Sequence, residues 1–283
     1  MIDLHAHSTA SDGTTSPTEV VAAARDAGLS TVALTDHDTT AGWDEAVGAS
    51  TAYGVALVRG IEISCSHRGT SIHLLGYLPD PADEALAEEL EHARRSRVTR
   101  LQRMVERMAA AGIPISYADV LGQVDGPETT VGRPHIADAL VAKGVVPDRS
   151  SAFADYLSDR SPYFVSHYAP DPVAAVRLVR RAGGVPVMAH PFASARGRVV
   201  ADSVIASMAG AGLGGLEVEH RDHTAQQRAH GHDLARSLGL FTTGSSDFHG
   251  EGKLNRLGEY TTSLEVLAQI EAEAVSGIRV VRP

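Results

Sequence analysis

Ile2-Asp3-Leu4-His5-Ala6-His7 sets how the rest of this chain is read. A short apolar run ends on two histidines with one residue between them. In an extended segment that period points both imidazoles to one face, with Cα atoms about 6–7 Å apart, a spacing suited to chelation. Working outward, short and often β-branched apolar runs recur at Thr31–Leu34, Val55–Ile63, Ser71–Leu75, Gly184–Ala189, Leu213–Val218 and Leu240–Thr243. Bounded by Gly, Pro or Asp, they read as buried strands. At or just past their ends stand further ligand types: His37, Glu62, His73, His190, and Asp247-Phe248-His249, which repeats the spacing of His5 and His7. Asp12 follows in the first loop, within Ser11-Asp12-Gly13. Helical patterns at Pro17–Ala27, Pro172–Ala182 and Gln226–Leu238 alternate with the runs. The expected class is therefore α/β, with parallel strands and crossover helices forming an open sheet or a closed barrel. In a parallel barrel the strand C-termini converge on one face, where residues distant in sequence meet around one centre.

Composition narrows the function classes. With 283 residues, 43% apolar and 21% charged, the chain suits an ordinary globular protein and not a disordered, fibrous or disulfide-stapled one. Cys65 is the single cysteine and can form no internal disulfide. No basic n-region or apolar h-region precedes Ile2, so a cytoplasmic location is expected. No run approaches the ~18 consecutive apolar residues of a membrane helix, and no membrane partner is expected. Acidic residues outnumber basic ones 35 to 25, for a net charge of −10; duplex DNA and anionic lipid call for a broad positive field instead. Histidines number 14, far more than packing needs.

The strand–helix alternation stops between about Pro79 and Pro170. From Ala82 to Ala111 apolar residues recur at helical spacing, with a break in the stripe at Arg97, until Gly112 and Pro114 end the pattern. Shorter helices are expected near Tyr117–Leu121, His135–Lys143 and Ser151–Leu157. The stretch 79–170 thus reads as an all-helical insertion, a lid over a barrel formed by 1–78 and 171–283. The basic run Arg94–Arg107 reads as a solvated helix face.

Taken together, His5-x-His7, Thr35-Asp36-His37-Asp38, Gly60-Ile61-Glu62, Ser71-Ile72-His73, Ala189-His190-Pro191 and Gly244-Ser245-Ser246-Asp247-Phe248-His249-Gly250 resemble the motifs of the PHP (polymerase and histidinol phosphatase) superfamily. Arg133-Pro134-His135 and the Tyr163–Ala189 stretch resemble the helical insertion of the branch that includes nucleotide phosphatases, so the likeness spans nearly the whole chain. It implies a distorted (β/α)7 TIM-like barrel with an inserted helical lid. It also implies a trinuclear metal site, with His5, His7, Glu62 and Asp247 on one ion, a bridging Glu62 with His73 and His190 on a second, and Asp12, His37 and His249 on a third.

Charge arithmetic supports that chemistry. Six neutral histidines and three carboxylates carry about −3 and three divalent ions about +6, leaving about +3, or about +2 with a bridging hydroxide, enough to hold a phosphate dianion. Nitrogen and oxygen donors without thiolate suit manganese, iron or zinc. The expected reaction is hydrolysis of a phosphate ester by a metal-bridging hydroxide in line with the leaving group. Expected substrates are small nucleotides: a nucleoside monophosphate, a nucleoside 3′,5′-bisphosphate, or the 5′ end of a short RNA. Asp36 and Asp38 flank His37 and read as orienting residues. Arg133 and His135 in the insertion, and Arg196 after His190-Pro191-Phe192, are candidate phosphate contacts. His220 and His223, after Glu217-Val218-Glu219, lie near the same face, one of them a candidate to protonate the leaving group. Tyr163, Phe164 and Tyr168 offer a stacking surface for a base or packing between lid and barrel.

Other readings remain. Histidinol phosphate and cyclic phosphodiesters suit the same motifs. A barrel amidohydrolase or deaminase shares His-x-His, although many amidohydrolases use a strand lysine and this chain has only Lys143 and Lys253, neither in a strand-like run. A non-catalytic, metal-stabilised binding domain is the third reading; polymerase-associated relatives of that kind lose ligand positions that are all filled here.

Overall fold

Arg68 and Gly69 adopt φ of 49° and 75°, the paired positive values that a two-residue hairpin turn requires. That turn decides the topology of the computed structural model, which describes residues 1–283. In chain order the barrel elements are β1 (Ile2–Asp3), α1 (Pro17–Asp26), β2 (Thr31–Leu34), α2 (Trp43–Tyr53), β3 (Ala56–His67) and β4 (Thr70–Tyr77). The helices α3 (Glu84–Ala110), α4 (Tyr117–Leu121), α5 (Arg133–Ala142) and α6 (Arg149–Ala152) follow, the last running into a π-helical turn at Phe153–Leu157. The chain then resumes with α7 (Pro172–Arg181), β5 (Val185–Met188), α8 (Asp202–Gly210), β6 (Gly215–Glu219), α9 (Ala225–Leu238), β7 (Phe241–Gly244) and α10 (Leu264–Glu273).

The strands form one seven-stranded sheet in sequence order. Between the segments of chain around its first strand and beyond its last, His7 N donates to Phe248 O at 2.8 Å and Thr262 N to Ile2 O at 2.9 Å, which nearly closes the barrel. The expectation of parallel strands throughout fails at β4, which is antiparallel to both β3 and β5. A two-residue connection leaves no room for the crossover that a parallel neighbour needs. β3 also runs four residues past Ile63, through Ser64, Cys65, Ser66 and His67. Glu62 and His73 therefore lie within strands, not at strand C-termini.

Period-two alternation sorts the strand side chains. Ala33, Val58, Leu75, Val185 and Val187 point into the barrel with Ile2, Leu4 and Tyr77, and Leu267 and Ile270 of α10 pack against them from one end. Val32, Leu34, Leu57, Ile61 and Leu74 point outward into a layer shared with the surrounding helices. With one end sealed by α10, polar groups inside the barrel gather at the other. No helix is long and apolar enough to cross a membrane.

A third core is drawn entirely from residues 101–165. α3 joins it to the barrel: Leu86 and Leu90 pack in the outer barrel layer, whereas Leu101, Met104, Val105 and Met108 pack in the third core. Arg97 lies between these halves, where the apolar stripe breaks. It is 8% exposed, and its Nε donates to Asp38 Oδ2 at 2.8 Å. Arg100 is 5% exposed. The solvated-face reading of the basic run thus fails at these two positions, because one stripe of α3 faces the barrel mouth.

Asp38 also accepts from Ser64 N at 2.9 Å, so the Arg97 pair ties α3 to the loop after β2 and to β3. Breaking a buried pair strands the remaining charge at a cost of about 3–5 kcal/mol. Arg97→Met should lower unfolding stability by about that amount in urea, and adding Asp38→Asn should restore part of it. Equal stability of the single variant and the wild type would refute this role.

Candidate metal centre

The open end of the barrel places Glu62 at a focus. Its Oε2 lies 3.0 Å from His7 Nε2, 3.2 Å from His37 Nδ1 and 3.3 Å from His5 Nε2. Its Oε1 lies 2.8 Å from His73 Nδ1 and 3.4 Å from His190 Nε2. One buried carboxylate thus faces five imidazoles. Asp247 Oδ1 sits 3.4 Å from both His5 Nε2 and His7 Nε2. Asp12 lies 3.3 Å from His249 Nε2, 3.7 Å from His7 Nδ1 and 3.8 Å from His37 Nε2.

Three sets have ligand atoms mutually within 4.8 Å: His5, His7, Glu62 and Asp247; His7, Asp12, His37 and His249; and His37, Glu62 and His73. The first matches the expected set. In the second, His7 joins the expected trio. In the third, His37 stands where His190 was expected, while His190 packs alongside with its ring 5.8 Å from that of His5. The structure therefore brings all nine sequence-predicted ligands to one place.

Backbone geometry is unusual at this spot: Asp38, His190 and Asp247 are non-glycine residues at φ of 53°, 30° and 55°. Such conformations persist where surrounding contacts over-determine them. Glu217 is one such contact, accepting from His190 N at 2.8 Å.

Burial and mutual proximity set the charges. Burial opposes the charge on His5, but Glu62, Glu217 and Asp247 outweigh it and hold the pKa well above its usual value. Burial alone would raise Glu62, yet His37, His73 and His5 keep it well below the carboxylate range. Asp12 is held low against burial by His249 and His37. His190 is pushed down to about 3, by burial first and Arg196 second.

Several polar atoms here are buried without a hydrogen-bond partner: His37 Nδ1, Glu62 Oε2, His190 Nε2 and His249 Nε2. Buried polar atoms normally find partners, and converging nitrogen and oxygen donors left free in this way fit divalent cations.

A ring of residues behind these side chains holds them in place. Asp36 accepts from Ser8 N, Ser8 Oγ and Ser11 Oγ, which pins the loop after His7. Asp3 accepts from Ser246 N and Gly258 N, beside Asp247. Glu217 is fully buried, and its Oε1 takes His5 Nδ1 at 2.9 Å. The sequence reading used Glu217-Val218-Glu219 only to place the histidines beyond it. The missed signal is the alternation itself, which turns Glu217 inward.

The expected substrate contacts divide. Arg196 bonds Asp247 Oδ2 at 2.7 Å and also pairs with Asp222, at the rim of the centre. His220 is fully buried, 3.9 Å from Asp247 Oδ2, with its Nδ1 accepting from Asp222 N. Lys253, read only as a lysine outside the strands, reaches Asp247 Oδ2 at 3.0 Å. His223 is not available to a substrate: its Nδ1 pairs with Val218 O and its Nε2 accepts from Phe192 N, so both ring nitrogens are spent on the loop. His135 caps α5 through Gly132 N and lines a cavity of about 390 Å³ with Thr9, Asp138 and Arg149. Arg133 Nη1 bonds Leu157 O and Asp159. Tyr163 packs against the third core, Tyr168 stacks on His92, and Phe164 lies beneath the Arg100 and Arg133 guanidiniums.

Glu217→Gln removes the carboxylate behind His5 Nδ1. Loss of such a partner weakens metal affinity by about 10–100-fold, which titration of the apoprotein with manganese or zinc would measure. An unchanged affinity would show that Glu217 does not support the centre.

The sequence profile of the PHP domain matches residues 3–125; His190, Asp247 and His249 lie beyond that match. The chain is 37% identical over 265 residues to a 3′,5′-nucleoside bisphosphate phosphatase of Chromobacterium violaceum, covering 93% of this chain and 92% of the relative. It is 35% identical over 248 residues to a 5′-3′ exoribonuclease of Haemophilus influenzae, covering 87% and 89%. A crystal structure of a candidate metal-dependent phosphoesterase from Bifidobacterium adolescentis superposes with a TM-score of 0.95 at 43% identity, over 98% of this chain and 97% of that one. With relatives of that likeness over nearly its whole length, the chain belongs to the PHP domain family of metal-dependent phosphoester hydrolases.

Proposed function

We propose that His5, His7, Asp12, His37, Glu62, His73, His190, Asp247 and His249 hold two to three divalent ions of manganese, iron or zinc. We further infer that the chain hydrolyses phosphate esters of small nucleotides: nucleoside monophosphates, nucleoside 3′,5′-bisphosphates or the 5′ ends of short RNAs. The observation that carries this reading is Glu62, a buried carboxylate facing five imidazoles with its Oε2 free of any hydrogen bond. The names of the two relatives, a bisphosphate phosphatase and an exoribonuclease, support the substrate class.

When bound, such ions lower the pKa of a water and neutralise phosphoryl oxygens. The protein's own groups do the rest. Glu62 and Asp247 each offer an oxygen to the centre, and Arg196 and Lys253 hold the second oxygen of Asp247. His220 Nδ1 accepts a backbone N–H, so its proton resides on Nε2. Burial first lowers its pKa, to about 4, so at neutral pH it presents one N–H donor toward the phosphoryl or leaving-group oxygen. The rim cations add attraction for a dianion where the chain as a whole is negative.

Removing metal with a chelator should abolish phosphate release from nucleoside mono- and bisphosphates, and manganese, iron or zinc should restore it. Glu62→Gln should lower kcat by at least about 100-fold, as expected where several donors lose a shared charge. A metal-replete protein inactive on every nucleotide, sugar phosphate and bis(p-nitrophenyl) phosphate would refute the reading.

A further inference from the structure

The loop that carries Asp12 is held from outside the barrel. Three of its carbonyls accept from the chain between β4 and α7: Thr9 O from Thr129 Oγ1 at 3.0 Å, Ala10 O from Thr130 N at 2.9 Å, and Asp12 O from Arg149 Nη1 at 3.1 Å. Arg149 opens α6, whose Ala152 is fully buried in the third core, so it stands on a firm mounting. Its Nε and Nη2 donate to the two oxygens of Asp138 on α5, at 2.6 Å each. A two-point pair of this kind fixes the plane of the guanidinium, and Nη1 is thereby aimed at Asp12.

The same guanidinium meets the loop that carries His249. A Cβ on Gly252 would collide with it, and Gly252 N donates to His249 O. Thr14 ties the two loops further: its N and its Oγ1 both reach His249 O, and its Oγ1 accepts from Glu251 N at 2.8 Å. Arg149 therefore spans the seam between the loops of Asp12 and His249, the pair whose side chains approach to 3.3 Å. Packing contributes little on that side. The cavity of about 390 Å³ lies there, with Val141 and Ala142 the only apolar side chains in its lining. Ligands must be held within about 0.5 Å of their working geometry, which loops achieve less readily than strands, so the hydrogen bonds from outside the barrel set where Asp12 stands.

We propose that Arg149 is a positioning residue for the metal centre. It clamps the loops of Asp12 and His249 together, and the ion that those two residues share binds tightly only while the clamp is made. The proposal rests on the metal-centre reading and adds to it a division of labour. The set of His5, His7, Glu62 and Asp247 receives no contact from Arg149, whereas the set of His7, Asp12, His37 and His249 is completed by the helices outside the barrel.

The test titrates the apoprotein with manganese and counts bound ions by electron paramagnetic resonance, for wild type, Arg149→Met, Arg149→Lys and, as a control at an exposed position of α3, Arg103→Met. Arg149→Met should weaken one binding step by about 10–100-fold and leave the others unchanged. Arg149→Lys should recover part of that loss, and Arg103→Met should follow the wild type. Should Arg149→Met fail to fold, Thr129→Val, which removes only the hydroxyl on Thr9 O, should weaken the same step by a smaller factor. Binding unchanged in the folded variant, or all steps weakened alike, overturns the clamp. Should the wild type take up no manganese, iron or zinc, the metal-centre reading fails on its own account. Amide hydrogen exchange of the apoprotein then decides the clamp: faster exchange across residues 8–14 in Arg149→Met than in Arg103→Met supports it, and equal exchange overturns it.

Discussion

The constraint on which the upper half of this barrel depends is the burial of Glu62, Asp247 and Asp12 among imidazoles. Carboxylates at 1%, 1% and 8% exposure lose most of their hydration, and each buried ion carries a penalty of several kcal/mol unless opposite charge and hydrogen bonds surround it. The protein supplies six histidines, with Arg196 and Lys253 against the outer oxygen of Asp247. That arrangement still leaves ring nitrogens and a carboxylate oxygen without partners. Divalent ions held by those donors would offset the buried carboxylate charge, so site and fold are coupled.

The antiparallel β4 follows from the same demand. In the β3–β4 register Glu62 faces Leu75 and Ser64 faces His73, so all four side chains share the inner face. His73 is then the diagonal neighbour of Glu62, within reach of a long side chain, and its Nδ1 lies 2.8 Å from Glu62 Oε1. A parallel strand at this place would begin after a crossover and offer only its end to the site. The hairpin offers its middle instead, and leaves Ser64 free to receive Arg97 from α3.

How much of this was legible in the sequence depends on what each signal measures. The nine candidate ligands stand out because apolar runs end on metal-ligand types, and that pattern survives even where the strand-end premise fails, at Glu62 and His73. The hairpin escaped because β3 continues through Ser64, Ser66 and His67, polar residues that border the insertion and carry no hydrophobic periodicity. Its turn, Arg68-Gly69, was visible only as two residues among several polar ones. Arg97 and Arg100 were misread for a related reason. A buried arginine and a solvated one give the same letter in a helical pattern, and only the break in the apolar stripe hinted that the helix points a charge at something. Glu217 sat in plain alternation with Val218, and a single acidic residue inside a short strand reads as a surface position until the barrel closes around it.

A chain with net charge −10 would not be chosen from composition as a binder of phosphates, and the resolution lies in distance. At an ionic strength near 0.15 M charges more than about 8 Å away through solvent are largely screened, so the acidic surface contributes little inside the barrel mouth. There the local count differs. Arg196 and Lys253 stand against Asp247, and Arg97 against Asp38 and Ser64. Low-dielectric walls carry their field into the opening with less screening than at the surface. The acidic exterior then opposes nonspecific attachment to long polyanions, whose many phosphates would meet it. A small phosphate ester that enters between the two cationic groups meets only the mouth. The same charge distribution therefore favours small phosphate esters over extended strands.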